Sequence, residues 1–343
     1  MPMSPASPTP SPLPETPPAG TGTGMVVIGR NEGARLVRCL EACAGAGGPV
    51  VYVDSGSTDG SPDAARRLGA VVVALDMSIP FTAARARNEG FATLMRLHPQ
   101  TARVQFLDGD CELAAGWMDA ANAFLDAHPE IAAVCGRRLE RFPDASVYNR
   151  LCDIEWNTPV GEARACGGDV LMRAQPLRAV GGYREDLIAG EEPELCVRLR
   201  AAGWKIWRLG HDMTLHDAAI TRLSQWWKRN VRSGHAFAEG AFLHGEPPER
   251  HFVAETRRVW IWGVALPIVI VLSSLATPWA LALVLLYPLQ SIRLGLRAAR
   301  QGLPIPWRYA AFVVAVRFPE AQGVLKFWAG RLVGHRSALI EYK

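Results

Sequence analysis

Three short stretches of this 343-residue sequence set carboxylates beside small residues, and each could do chemistry. In Val53-Asp54-Ser55-Gly56-Ser57-Thr58-Asp59-Gly60 a carboxylate is followed by hydroxyl and glycine residues that let a backbone approach a ligand; a polar turn capping the next helix is the plainer alternative. Asp108-Gly109-Asp110 follows the apolar run at 104–107. Two carboxylates leaving a buried run are costly to desolvate unless paired, and a divalent cation would neutralise both, whereas a solvated turn would leave them in water. Gly190-Glu191-Glu192-Pro193-Glu194 opens a helix that continues through Leu195 to Arg200. Acidic residues suit a first helical turn because of the helix dipole, and Pro193 fits there too. The same placement puts Glu191 and Glu192 at a rim where they could face a cleft.

The elements that must carry these groups follow from periodicity. Short β-branched runs near 26–28, 50–53, 71–73, 104–107 and 131–134 alternate with helical stretches near 32–44, 61–69, 81–97 and 116–128. Fully apolar strands alternating with helices predict an α/β fold: an open, mainly parallel sheet with helices on both faces. Ser61 and Pro62 read as N-cap and first position of the second helix. Ligands of such a sheet bind beyond the carboxyl ends of its strands, which is where Asp54 and Asp108 fall.

The ordered set Asp54-Ser55-Gly56-Ser57, Arg87-Asn88-Glu89-Gly90, Asp108-Gly109-Asp110, Gly181-Gly182-Tyr183 and Gly190-Glu191-Glu192-Pro193-Glu194-Leu195, with Arg198 and Arg200, resembles the family 2 glycosyltransferases of GT-A fold over about residues 25–240. The resemblance implies a nucleotide-sugar donor, with Asp54, Ser55, Arg30, Arg87 and Asp108 on the donor nucleotide. It implies a manganese or magnesium ion on Asp110, with Asp108 and His216 as further metal candidates, and a catalytic base supplied by Glu191 and Glu192. The family commonly carries Glu-Asp at the last site; aligning on it places the base at Glu192, while Glu191 could raise its pKa or compete for the role. A base opposite the leaving diphosphate gives inversion in a single displacement. Arg87 could equally be an exposed helix arginine, and His216 a packed or surface histidine.

Gln225-Trp226-Trp227-Lys228-Arg229 resembles the Gln-x-x-Arg-Trp box of processive synthases but lacks its closing tryptophan, since Asn230 follows. Gln225, Trp226, Trp227 and Arg229 therefore read as an acceptor cradle or a helix at lipid headgroup level.

Residues 259–276 carry no charge, nor do 279–292, and the two are joined by Thr277-Pro278. They predict a helical hairpin across a membrane, or a re-entrant pair, within a membrane-associated region at 241–343. Arg257 and Arg258 before it and Arg293, Arg297 and Arg300 after it place both ends, and the catalytic domain, on the cytoplasmic side of an inner membrane. Residues 307–332 read as an amphipathic helix on membrane lipids. Two spans cannot line a translocation pore, so one sugar added to a lipid, lipid-linked or saccharide acceptor is expected. Processive synthesis and an inactive membrane scaffold are the alternatives, and a sugar-phosphate nucleotidyltransferase fits less well because residues 29–33 lack a glycine-rich basic loop. Residues 1–24, with eight of the 25 prolines, read as a disordered leader. The net charge, 37 − 33 = +4, excludes a nucleic-acid partner, and seven scattered cysteines without a C-x-x-C pair read as reduced thiols.

Overall fold

The computed structural model describes residues 22–334. The N-terminal part runs β1 (Thr23–Gly29), α1 (Ala34–Ala46), β2 (Val50–Asp54), α2 (Ser61–Arg67), β3 (Val71–Ala74), α3 (Ala83–Leu97), β4 (Arg103–Asp108), β5 (Cys111–Leu113), α4 (Trp117–Ala127), β6 (Ile131–Glu140), α5 (Val147–Glu155), β7 (Gly161–Ala163), β8 (Val170–Arg173), α6 (Ala174–Ala179), α7 (Glu191–Ala201), β9 (Lys205–His216) and α8 (Leu223–His244). One sheet of order β3-β2-β1-β4-β8-β6-β9-β5, with β7 on β9, holds all nine strands. β3, β2, β1 and β4 are mutually parallel, as the β/α alternation predicts. Beyond β4 the sheet is mixed: β8 inserts antiparallel between β4 and β6, and β6 pairs parallel with β9.

The apolar strands form the core, with Val26, Val27, Val53, Phe106 and Leu107 fully buried. Buried Gln105 is satisfied by the Trp117 indole N–H, which donates to its amide oxygen at 2.9 Å. α3 lies flat on β1 and β2 because Gly90 has no side chain; a Cβ there would press on Val26 and lie 2.9 Å from a Val53 methyl. Thr82 caps α3, accepting from the Arg85 N–H at 3.1 Å.

Three local expectations need correction. β1 begins at Thr23 rather than Met25; residues 1–21 of the predicted leader lie outside the described residues. Gly60, in the left-handed region, caps α2, and the Ser61 hydroxyl instead accepts from the Gly33 N–H at 3.3 Å, tying α2 to the loop after β1. α8 runs through residue 240 without a break.

The C-terminal part comprises α9 (Val253–Val259), a π-helical turn at Trp260–Ala265 and α10 (Leu266–Ala276), continuous as Val253–Ala276. A second continuous helix, Pro278–Arg300, begins as a 3-10 stretch at Pro278–Leu285 and continues as α11 (Leu286–Arg300). Pro267 and Pro288 cannot donate to the carbonyls four residues back, which accounts for the altered winding before each. The two helices double back on one another, the Tyr287 hydroxyl donating to the Trp262 carbonyl at 2.8 Å. Both are long and apolar enough to cross a membrane, and most of their surface is not buried within the protein. α12 (Pro306–Ala315) and α13 (Arg317–Leu332) replace the single helix expected over 307–332. α13 packs backbone to backbone on α8, where Gly234 meets the Glu320 carbonyl and Gly323 meets the Val231 carbonyl. It is therefore partly a packing helix rather than wholly a surface one.

Candidate active site

Strand register sets the first spacing. Gly29 of β1 pairs with Asp54, and Ile28 pairs with Asp108. Two inter-strand steps place Asp54 about 10 Å from Asp108 along the carboxyl edge. Asp54 is buried and organises its own turn, with Oδ1 accepting from the Tyr52 hydroxyl at 3.0 Å and Oδ2 accepting from the Gly56 and Ser57 N–H groups at 3.1 and 3.0 Å. Asn31 laces the loop after β1 to this turn, accepting from the Thr58 N–H at 2.7 Å. Ser55 is buried and its hydroxyl has no hydrogen-bond partner, while Arg30 stands exposed beside it.

The second group is an arginine surrounded by acids. Arg87, 2% exposed, projects from the first turns of α3. Its Nη1 donates to Glu191 at 2.9 Å, and its Nη2 lies 2.9 Å from Asp108 and 3.1 Å from Glu192. Burial alone would lower the Arg87 pKa, yet the charges of Glu192, Asp108 and Glu191 hold it well above the ordinary value. Glu192 is pushed up to about 7, first by burial and then by the neighbouring Glu191 carboxylate. Arg87 is therefore a buried counter-ion that fixes three carboxylates rather than an exposed helix arginine. Gly168 makes this packing possible, because a Cβ there would collide with the Arg87 guanidinium and lie 2.9 Å from Asp108.

The third group surrounds His216, at the end of β9. Its Nε2 is 3.4 Å from Asp110 Oδ1 and its Nδ1 is 3.7 Å from Glu140, with Trp156 edge-on to the ring at 4.7 Å. The Nδ1 is buried and makes no hydrogen bond. Adjacent ligands of an octahedral divalent ion stand about 3 Å apart, so the Asp110–His216 pair fits a cation with little adjustment. Cys111 lies within reach of both, but burial holds its thiol well above the ordinary value and makes it a poor ligand. Charge favours the same conclusion. With all acids ionised, the carboxylates Asp108, Asp110, Glu140, Asp169, Glu191 and Glu192 against Arg87 and Arg138 leave 2 − 6 = −4.

Asp108, Asp110, Glu191, Glu192, Arg87 and His216 are thus gathered at one place, with Asp54, Ser55 and Arg30 further along the same edge. The Gln225 to Arg229 box is engaged in packing beside this cluster. Gln225 accepts from the Thr221 and Arg222 N–H groups at 3.0 Å and so starts α8. Trp226 is buried against Cys152, Ala218 and Ile220, and Trp227 donates to Gln322 of α13 at 2.7 Å. Arg229 makes a two-pronged pair with Glu155 of α5 at 2.9 and 3.0 Å. These contacts account for the segment without an acceptor.

Three site residues lie outside the sequence motifs: Arg138, Glu140 and Asp169. Asp169 is fully buried, accepts from the Asp108 N–H at 3.1 Å and the Thr214 hydroxyl at 2.8 Å, and stands 2.9 Å from Arg138. Its local signal is Gly167-Gly168-Asp169 just before β8, the same conjunction of glycine and carboxylate as in Asp108-Gly109-Asp110.

Comparison with known proteins agrees with this geometry. Residues 25–165 match the model of "Glycosyl transferase family 2". The pre-mycofactocin glycosyltransferase of Mycobacterium tuberculosis is 27% identical over 173 residues, covering 47% of this chain and 35% of the relative. The succinoglycan biosynthesis protein ExoA of Rhizobium meliloti is 28% identical over 192 residues, 52% of this chain and 57% of the relative. The matched region thus spans less than two thirds of either relative. Among solved structures, a mannosyltransferase from Pyrobaculum calidifontis, in complex with GDP-Man and Mn2+, shares the fold with a TM-score of 0.58 at 19% identity, covering 92% of this chain and 90% of that one. Sheet order and motif order agree with this match, which covers residues 25–165 of the chain.

Proposed function

We propose that this protein transfers one sugar from a nucleotide-sugar donor, with inversion, to a lipid, lipid-linked or saccharide acceptor at the cytoplasmic face of an inner membrane. The observation that carries the proposal is Glu192, raised to about 7 and held by Arg87 within 3.1 Å, in the same cluster as Asp108. A carboxylate with that pKa suits general-base work at neutral pH, since about half of it is ionised and it readily accepts a proton. Glu192 takes the proton of the acceptor hydroxyl, Arg87 and Glu191 fix its orientation, and Asp54 and Ser55 meet the nucleoside end of the donor. The buried, unpartnered Ser55 hydroxyl is what such recognition requires. Asp110 and His216 would hold a manganese or magnesium ion, which supplies charge neutralisation to the leaving diphosphate.

The membrane assignment is supported by the hairpin. At its tip Leu275 and Trp279 are 81% and 86% exposed, an arrangement costly in water and suited to hydrocarbon. Arginines flank only the two open ends, which by the positive-inside rule places these in the cytoplasm. The name of one relative, a succinoglycan biosynthesis protein, adds support for a saccharide as the product.

The test is a thermal-shift screen of UDP- and GDP-sugars on the detergent-purified protein, with manganese, magnesium or a chelator. The proposal expects stabilisation by one donor series that the chelator abolishes. Indifference to every donor in the presence of either ion would reject it.

A further inference from the structure

Arg138 is a cation that no motif of the sequence accounts for. It lies near the carboxyl end of β6, where the pairing with β9 slips between Cys135 and Arg137 and again between Arg137 and Arg138. Such bulges re-aim side chains and recur beside active sites. Here they turn Arg137 toward Asp153 of α5, at 2.9 Å, and Arg138 toward the catalytic cluster. The Arg138 guanidinium stands 2.9 Å from Asp169, 3.6 Å from Asp108 and 5.4 Å from the centre of the Trp156 ring.

The two arginines of the cluster differ in spare capacity. Arg87 meets three carboxylates at 3.1 Å or less and is 2% exposed, so both of its Nη atoms are committed. The Nη2 of Arg138 lies close to Asp169 but is not aligned for a hydrogen bond and has no hydrogen-bond partner. Around it the chain has no bulk: a Cβ at Gly167 would be 4.0 Å from that nitrogen, and the next residue is Gly168. Trp156 holds the plane of the guanidinium from one side. A planar cation so held, with unused donors beside a glycine pair, matches the oxygens of a diphosphate.

We propose that Arg138 is a further catalytic residue, which grips the diphosphate of the donor and stabilises the charge that grows there as the sugar departs. The inference rests on the glycosyl-transfer reading and deepens it by naming the group that recognises the diphosphate.

The test is calorimetric binding of UDP and GDP, each beside its monophosphate, with manganese present, to the full-length protein in detergent. The proteins compared are the natural chain, Arg138→Gln and Arg138→Lys. We expect the diphosphate that binds the natural protein to lose ten- to a hundredfold in affinity with Arg138→Gln, about tenfold or less with Arg138→Lys, and the monophosphate to bind all three alike. Equal loss of both nucleotides, or loss of neither, overturns the role of Arg138. Failure of the natural protein to bind either diphosphate overturns the glycosyl-transfer reading itself. Should Arg138→Gln not fold because Asp169 loses its partner, the pair Arg138→Gln with Asp169→Asn removes both buried charges, and the same preference for the diphosphate is read on it.

Discussion

At the scale of single residues, the proposed activity depends on how burial and neighbouring charge tune one carboxylate. Glu192 acts as a base only when ionised, and burial first and Glu191 second raise its pKa to about 7. Transfer should therefore fall as the pH drops through about 7, approaching tenfold per unit below it, and level off above. Glu191→Gln removes one raising charge and leaves Arg87 freer to act on Glu192, so the limb of the pH–rate profile moves to lower pH; an unmoved limb would assign the titration to another group. Gly168→Ala puts a methyl against the Arg87 guanidinium and Asp108, and should cost about 1–3 kcal/mol of stability together with most of the activity. Unchanged melting and turnover would show that the cluster relaxes freely. Much of this site was legible from residue types, because a carboxylate at the end of a buried strand is too costly to keep without a charged partner or a ligand. Asp169 and Arg138 were not, since one precedes a strand and the other lies within one, and neither position marks a side chain as functional.

At the scale of elements, what the sequence concealed was order in space. The β/α alternation located β1 to β4, and therefore Asp54 and Asp108, because parallel strands joined by helices leave few arrangements. It could not show that β8 would insert antiparallel beside β4, which is what delivers Asp169 to the backbone of Asp108. Nor does periodicity disclose a bulge, and the two slips in β6 decide where Arg138 points. In the Gln225 to Arg229 box, residues that read as an acceptor cradle or a headgroup-level helix start α8 and pack it on α5 and α13. The contact of α8 with α13 depends on two glycines. Gly323→Val should force the helices apart and lower stability by about 1–3 kcal/mol, seen as a fall in melting temperature in detergent, whereas exposed Lys228→Ala on α8 should change it little. Equal melting of the two variants would mean that the seam does not hold these helices.

At the scale of the whole molecule, a soluble-looking sheet is joined to a helical hairpin whose apolar surface the protein leaves uncovered. Composition alone indicated the hairpin, through two uncharged runs joined by Thr277-Pro278. The helices prove longer than the uncharged runs because the arginines at both open ends continue the helical turns. If the hairpin inserts, Val269→Arg, near the middle of its first uncharged run and 51% exposed, should oppose insertion by on the order of 2.5–3.5 kcal/mol and increase release of the protein by alkaline extraction. Release identical to that of the natural protein would argue against a spanning hairpin. That the converged acids perform sugar transfer is tested most directly by Glu192→Gln in proteoliposomes with a labelled donor and manganese. This variant should bind the donor with the affinity of the natural protein and transfer label at least a hundredfold more slowly. Transfer at the natural rate would refute the role of Glu192 as the base.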